Sequence, residues 1–386
     1  MRILQLAPHP FFQERGTPID VLQVLRVLVE RPNTTVDLLV YPEGDDVDLP
    51  NLTLYRTPDL PLTRGVRPGF SLQKMICNGF MLFQAWGLLR RRQYDLIHAG
   101  EETVFLARFF QFWFRIPYVY DLDSSIAQQL VEKKTWLRPL APLFNALEAW
   151  AIRGSLANLP VCHALAELCE ARGSRKTVTI HDISQLKNPG SPQQGWLKAQ
   201  LGIPHKILLY MGNLETYQGI DLLLEAFRIA CEKTDEVDVV VIGGTPEDIA
   251  FYDDKAEGLG IADKTHFLGP RPFAQLEAYL AEADILACPR IRGINTPMKI
   301  FPYLHSGRPV LATDLYTHTQ RLSQNEAYLA PADPHGFAQG IVELAENEAL
   351  RRQLGQNGMA FVEREHTYEA HRRRLNQAYD WIESQL

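Results

Sequence analysis

The chain has 386 residues, of which 46% are hydrophobic and 22% charged, and its net charge is −7. That length exceeds one core and suits two domains, the balance is that of a globular protein, and the negative charge argues against bulk attraction to nucleic acid. Its five cysteines are scattered without a CxxC pair, which argues against a disulfide framework or zinc site and fits reduced thiols in a cytoplasm.

In chain order, "RILQLA" reads as a strand that runs into the loop "HPFFQERGTP", and its start lacks the apolar core of a signal peptide. The helix "TPIDVLQVLRVLVE" follows, with Ile19, Leu22, Leu25 and Val29 on one stripe. "TVDLLVY", "YDLIHA", "PYVYDL" and "TVTI" are further strands that alternate with helical patterns. The most membrane-like segment, "MICNGFMLFQAWGLLRRR", is interrupted by Asn78 and Gln84 and falls short of the ~20 apolar residues a span needs. It reads as a helix that is either buried or laid on a bilayer.

Residues 184–205, rich in Pro, Gly and Gln, break the pattern, and "KILLYMG" opens a second series. The helix "GIDLLLEAFRIAC" shows one apolar face, and "VDVVVIGG", "THFLG", "DILACP" and "PVLATD" follow as strands. Such alternation implies parallel sheets covered on both faces. The fold class is therefore α/β, with two doubly wound Rossmann-like domains facing across a cleft and ligands at the carboxyl ends of the strands. The expected divisions are 1–185, a linker over 186–205, a second domain over 206–366, and a helix over 367–386 capped by Thr367. Spacing leaves the docking partner of that last helix open, the N-terminal domain being one candidate.

Glycines recur at the strand-to-helix turns of the second half: Gly212 and Gly219, Gly243 and Gly244, then Gly269. One such turn is ordinary tight geometry, but several at one end of one sheet point to a nucleotide or other anion. Neither GxGxxG after a strand nor a P-loop is present, which disfavours NAD enzymes and ATPases. Arg290, Arg292, Gly293 and Lys299 surround "INTPMK", where Asn295 and Thr296 read as caps of a helix that begins at Pro297. Guanidinium forks and a helix start suit a pyrophosphate, although a solvated basic rim has the same composition. Pro302 sits where a second turn of that helix should continue, so a short or bent helix is expected.

Taken together, "RILQLAPHPFFQERGTPIDV", "YMGNLETYQGIDLLLEAF", "VVVIGGTPED" and "NTPMKIFPYLHSGRPVLATD" resemble the retaining glycosyltransferases of family four, group 1, which have the two-Rossmann-domain GT-B architecture. The resemblance covers nearly the whole chain. It implies a nucleotide-diphosphate sugar bound on the C-terminal domain, an acceptor on the N-terminal domain, transfer with retention, and no metal or other cofactor. The leaving diphosphate is stabilised in such enzymes by basic groups and helix starts. The family's Arg and Lys after the first C-domain strand fall on Asn213 and Gln218, its paired glutamates on Ile294 and Pro302, and its N-domain histidine on Asp123. Lys299 and the glycines are kept. The resemblance thus implies Asp123 and Lys299 as catalytic groups, with Asn213, Gln218, Arg290 and Arg292 on the donor.

On the acceptor side, Gly16 and Thr17 follow the first strand, and His98, Glu101 and Glu102 follow another. His98 with Glu101 suggests a metal pair, but further ligands are missing nearby, and a contact between a glutamate and an acceptor hydroxyl is the better reading. "ARFFQFWFRIP" and "KKTWLRPLAPLFNALEAW" mix aromatic and basic residues, as do peripheral membrane surfaces and also aromatic-rich cores. The expected function is a cytoplasmic glycosyltransferase acting on a glycan, lipid-linked or small-molecule acceptor. A catalytically inactive binding or assembly subunit is the alternative, and a sugar-nucleotide epimerase a weaker third.

Overall fold

The computed structural model describes residues 1–13, 16–66, 71–133 and 135–386. Glu14 and Arg15 of the first loop, and Lys134 of the third aromatic-basic stretch, lie outside the described residues. The chain forms two compact units: Met1–His181 together with His371–Leu386, and Asp182–Ala370.

The first unit is built on six parallel strands: β1 Arg2–Leu6, β2 Thr35–Val40, β3 Leu52–Arg56, β4 Leu96–Gly100, β5 Tyr118–Leu122 and β6 Ala157–Pro160. Their order in the sheet is β3-β2-β1-β4-β5-β6. Ile3, Leu4 and Leu6 are fully buried, as expected of a central strand covered on both faces. "TVTI" makes only an isolated bridge, Asn158 to Thr177, and the neighbouring "ANLP" forms the edge strand instead.

The second unit repeats the plan with β7 Lys206–Met211, β8 Val237–Ile242, β9 Thr265–Gly269, β10 Ile285–Cys288, β11 Val310–Thr313 and β12 Tyr328–Ala330. Their order is β12-β11-β10-β7-β8-β9, again all parallel. Successive residues of β8 serve opposite faces. Val239 and Val241 pack with Leu223 and Phe227, while Val240 and Ile242 pack with Phe301 and Leu304. In both sheets the connections reverse direction beside the first strand, between β1 and β4 and between β7 and β10. Such crevices are where doubly wound sheets take ligands.

The structure departs from the sequence expectation at one boundary and places the last helix, whose partner was open, in the first unit. Residues 186–205 are no free linker. Leu197 is fully buried in the second unit, and the buried Glu282 carboxylate accepts the N–H groups of Gln194, Gly195 and Leu197 at 2.7, 3.1 and 3.1 Å. That capping is invisible in a Pro- and Gln-rich composition. The helix Tyr368–Glu383, with Thr367 Oγ1 accepting from Ala370 N–H at 3.3 Å, seats Leu375, Tyr379 and Ile382 in the first unit.

Candidate active site

The crevice of the second unit is assembled from the turns after β7 and β10. Gly212 has φ +150°, and a Cβ there would lie 2.4 Å from Lys299 Nζ. Gly219 has φ +79°, and its Cβ would lie 2.0 Å from the Pro289 carbonyl oxygen. The two turns therefore meet only because both positions lack a side chain. Gly243 N–H donates to the Gly269 carbonyl at 2.9 Å and brings the ends of β8 and β9 alongside. Gly244 borders Leu214 of the first turn.

Lys299 occupies the centre. Its Nζ donates to the Tyr210 hydroxyl at 2.8 Å and sits 4.0 Å from that ring's centroid. The Tyr210 hydroxyl in turn donates to the Asn213 carbonyl at 2.6 Å. Lys299 is only partly exposed and has no carboxylate partner among the described residues. Burial, reinforced by the charge of Arg290, pulls its ammonium down to about 8. Arg290 lies over Tyr217 at 5.2 Å, and its Nε donates to the Arg292 carbonyl at 2.8 Å. The Gly293 backbone packs against its guanidinium. Two cations with no anion between them among the described residues make an electropositive seat.

Polar atoms without protein partners are found in the same turns. Gln218 and Thr296 are 7% and 6% exposed, and Gln218 Oε1 and Thr296 Oγ1 are buried without a hydrogen bond. A buried orphan of this kind costs about 1–3 kcal/mol unless something outside the chain satisfies it.

The expected capped helix at Pro297 is not formed. The helix runs Ile300–His305 with Lys299 at its N-cap and no side-chain cap. The loop ahead of it is fixed instead by Thr317 Oγ1 and Gln320 Nε2, which donate to the Asn295 and Ile294 carbonyls at 2.5 and 2.7 Å. The first i→i−4 bond is Tyr303 N–H to the Lys299 carbonyl at 3.2 Å. Pro302 therefore falls in the first turn, where a missing N–H forfeits nothing.

The first unit presents carboxylates at its own crevice. Glu101, just past β4, adopts φ +46°, unusual for a side-chain-bearing residue. Lys74 Nζ donates to Glu101 at 2.7 Å and pairs with Glu102 at 3.0 Å, while Thr17 Oγ1 reaches Glu101 at 3.3 Å. Asn78 Nδ2 donates to Glu102 at 3.0 Å, and Tyr41 donates to Asn78 at 2.7 Å. Burial pushes both carboxyls up. At Glu101 the Lys74 ammonium outweighs it and holds the group below its ordinary range, whereas Glu102 stays raised. Gly16, at φ +26°, opens the helix Gly16–Glu30 that carries Thr17. Carboxylate oxygens of Asp121 in β5, Asp123 just beyond it and Asp20 of the helix Gly16–Glu30 lie within 4.8 Å of one another.

His98 is a correction. It is fully buried, with Nε2 on Asp121 at 2.9 Å and Nδ1 on the Tyr379 hydroxyl at 2.6 Å, so both ring nitrogens are occupied. It fastens the last helix to β4 and is not poised for an acceptor. Arg292 also departs from expectation: its side chain is exposed, and its carbonyl, not its guanidinium, supports the site.

Residues 16–182 match the family described as glycosyl transferase 4-like domain, and residues 205–347 match glycosyl transferases group 1. The chain belongs to the GT-B glycosyltransferases. It is similar to the phosphatidyl-myo-inositol mannosyltransferase of Mycobacterium leprae, at 28% identity over 94% of this chain and 92% of that one. A D-inositol 3-phosphate glycosyltransferase of Corynebacterium glutamicum is 26% identical over 42% of this chain and 41% of its own. Among solved structures, sucrose-phosphate synthase from Thermosynechococcus elongatus superposes with a TM-score of 0.78 at 19% identity over 100% of both chains. Anabaena HepE in complex with UDP and glucose gives 0.75 at 16% identity, also over 100% of both.

Within this glycosyltransferase, sequence reasoning brought together Lys299, Arg290 and the glycines but missed Tyr210. A tyrosine at the end of an apolar strand reads as core, and only its two-residue distance from Gly212 hints at more. Lys74 and Asn78, on the helix Leu72–Arg91, and Tyr41, just past β2, were missed because they come from elements distant in the chain from Glu101 and Glu102. Asn213 is exposed, and its Oδ1 accepts from Glu215 N–H at 3.4 Å.

Proposed function

We propose that this glycosyltransferase moves a sugar from a nucleoside-diphosphate donor to a hydroxyl of a polyol-bearing acceptor, with retention and without metal. One observation carries the reading: Lys299, partly buried beside Arg290 in the β7/β10 crevice, lacks among the described residues a counter-charge, which a diphosphate would supply. Lys299 and Arg290 neutralise the leaving group, and Gln218 and Thr296 donate to or accept from the donor. Asp123 orients the acceptor or the transferred sugar, and Glu101 and Glu102 hold acceptor hydroxyls through lone pairs that Lys74 leaves open. The names of the inositol-directed relatives support a lipid-linked or small polyol acceptor. On this reading the chain is cytoplasmic and peripheral at the inner face of a membrane, and the phosphatidyl-myo-inositol in the mannosyltransferase's name is consistent with work at a lipid surface.

The test is release of nucleoside diphosphate from a panel of sugar nucleotides with inositol-type acceptors. Lys299→Met is expected to lower turnover by about 10²–10³-fold, and a rate untouched by that change refutes the site. Activity should survive EDTA. Loss on chelation, restored by a divalent ion, would redirect attention to Asp20, Asp121 and Asp123. A second reading follows from Ile294 and Pro302, which replace the glutamates the family resemblance leads one to expect. A binding subunit would retain nucleotide affinity with no turnover of any donor.

A further inference from the structure

Among the described residues, every exposed large hydrophobic side chain except Phe251, Tyr316 and Leu386 falls between Leu60 and Trp150. Phe83 is 76% exposed, Phe112 79%, Trp113 59% and Trp136 72%. These residues belong to neighbouring helices. Trp86 of Leu72–Arg91 packs against Trp113 and Phe114 of Thr103–Phe114 at ring separations of 6.0 and 4.9 Å. Arg108 of the latter helix lies over Trp150 of Ala141–Gly154 at 4.9 Å, and Gln111 donates to the Gly154 carbonyl at 3.2 Å. The turn Thr135–Leu140, which carries Trp136, leads directly into that third helix.

The charge of this surface is one-sided. The three helices and the turn contain a single acidic residue, Glu148, which is fully buried and bonded to Ser125 and Arg172. Arg90, Arg91, Arg115, Arg138 and Arg153 are exposed and make no ion pair among the described residues. Arg90 and Arg91 also suit the end of their helix, but that role does not extend to Arg138. The whole chain carries −7, so the asymmetry is local. An apolar centre with basic residues at its edge matches the headgroup region of a bilayer with negative lipids. No helix of the described residues is long and apolar enough to cross a membrane.

We propose that the face formed by Leu72–Arg91, Thr103–Phe114 and Ala141–Gly154 adsorbs to anionic bilayers. Phe83, Phe112 and Trp113 enter the boundary between headgroups and acyl chains, and the arginines meet lipid phosphates. The inference rests on the reading above only in placing the chain at a membrane; the donor chemistry is independent of it.

The full chain is sedimented with vesicles of phosphatidylcholine alone, or mixed with phosphatidylglycerol, at low salt and at about 0.5 M salt. Partition into the anionic vesicles at low salt is expected, with salt sensitivity and a blue shift of tryptophan emission. Phe112→Ser with Trp113→Ser should weaken it at least tenfold, and Arg90→Gln with Arg91→Gln roughly fivefold per arginine. Unchanged melting curves show that the variants fold. Donor turnover on a water-soluble polyol should be the same in each, which separates failure of docking from failure of the transferase reading. Absence of partition at low salt overturns the proposal, as does binding to neutral vesicles that neither double variant diminishes. If light scattering instead shows a dimer that Phe112→Ser/Trp113→Ser dissolves, without vesicle binding, the face joins two copies of the chain and the proposal falls.

Discussion

Lys299 is stabilised less by its own chain than by what it awaits. Its ammonium, lowered to about 8 by burial and by Arg290, is charged in the free protein below that pH and neutral above it. A bound diphosphate favours the charged form and raises the value again. Nucleotide affinity should therefore be highest below pH 8 and fall by up to tenfold per pH unit above it. Calorimetric titration of a nucleoside diphosphate across pH 7–10 checks this, and in Lys299→Met the slope should vanish. The same variant should melt higher than the parent, because an uncompensated buried cation is removed. A gain of ~1 kcal/mol corresponds to roughly 2–4 °C in a unit of this size. At this scale the sequence disclosed Lys299 and Arg290, whose charges stand out beside glycines. It concealed Tyr210 and the occupied ring nitrogens of His98, whose partners are distant in the chain, and Gln218's orphaned oxygen, which only the packing around it reveals.

Among the elements, the helix Ile300–His305 shows how a proline can be misread. Counted from a cap at Asn295 or Thr296, Pro302 interrupts a helix; counted from Lys299, it lies among donors that have no partner anyway. Pro302→Ala should consequently change stability by less than ~1 kcal/mol, well below the ~3 kcal/mol of an interior position. Chemical denaturation of the two proteins measures the difference. The central strands were legible as apolar runs, since parallel strands covered on both faces must be. β3, β6 and β12 were not: all three are edge strands, as is β9, which was legible as "THFLG", and β6 and β12 have only four and three residues. An edge has one neighbour, and its residues carry a weaker apolar signature.

Across the whole molecule, alternation of strand and helix in the sequence alone indicates two Rossmann-like units. What it left open was where the final helix belongs. Arg31 holds it through Asp380 at 2.8 Å and Glu383 at 3.0 Å, and Tyr379 bonds His98 from inside the first unit. Tyr379→Phe would leave His98 Nδ1 unsatisfied and should cost about 1–3 kcal/mol. Deleting residues 368–386 exposes the seats of Leu375, Tyr379 and Ile382, each worth ~1.5–3 kcal/mol. Calorimetry of that truncation should show the first unit's transition lost and the second unit's kept.

The order of synthesis adds a delay of its own. The opening half of the polypeptide leaves the ribosome lacking the segment that plugs its flank, and all of Asp182–Ala370 must be translated before that segment exists. At ordinary elongation rates the wait is roughly ten to forty seconds. During it the nascent amino-terminal portion exposes a greasy furrow lined by Arg31 and His98, and a chaperone that shields such furrows should be found on it until translation ends.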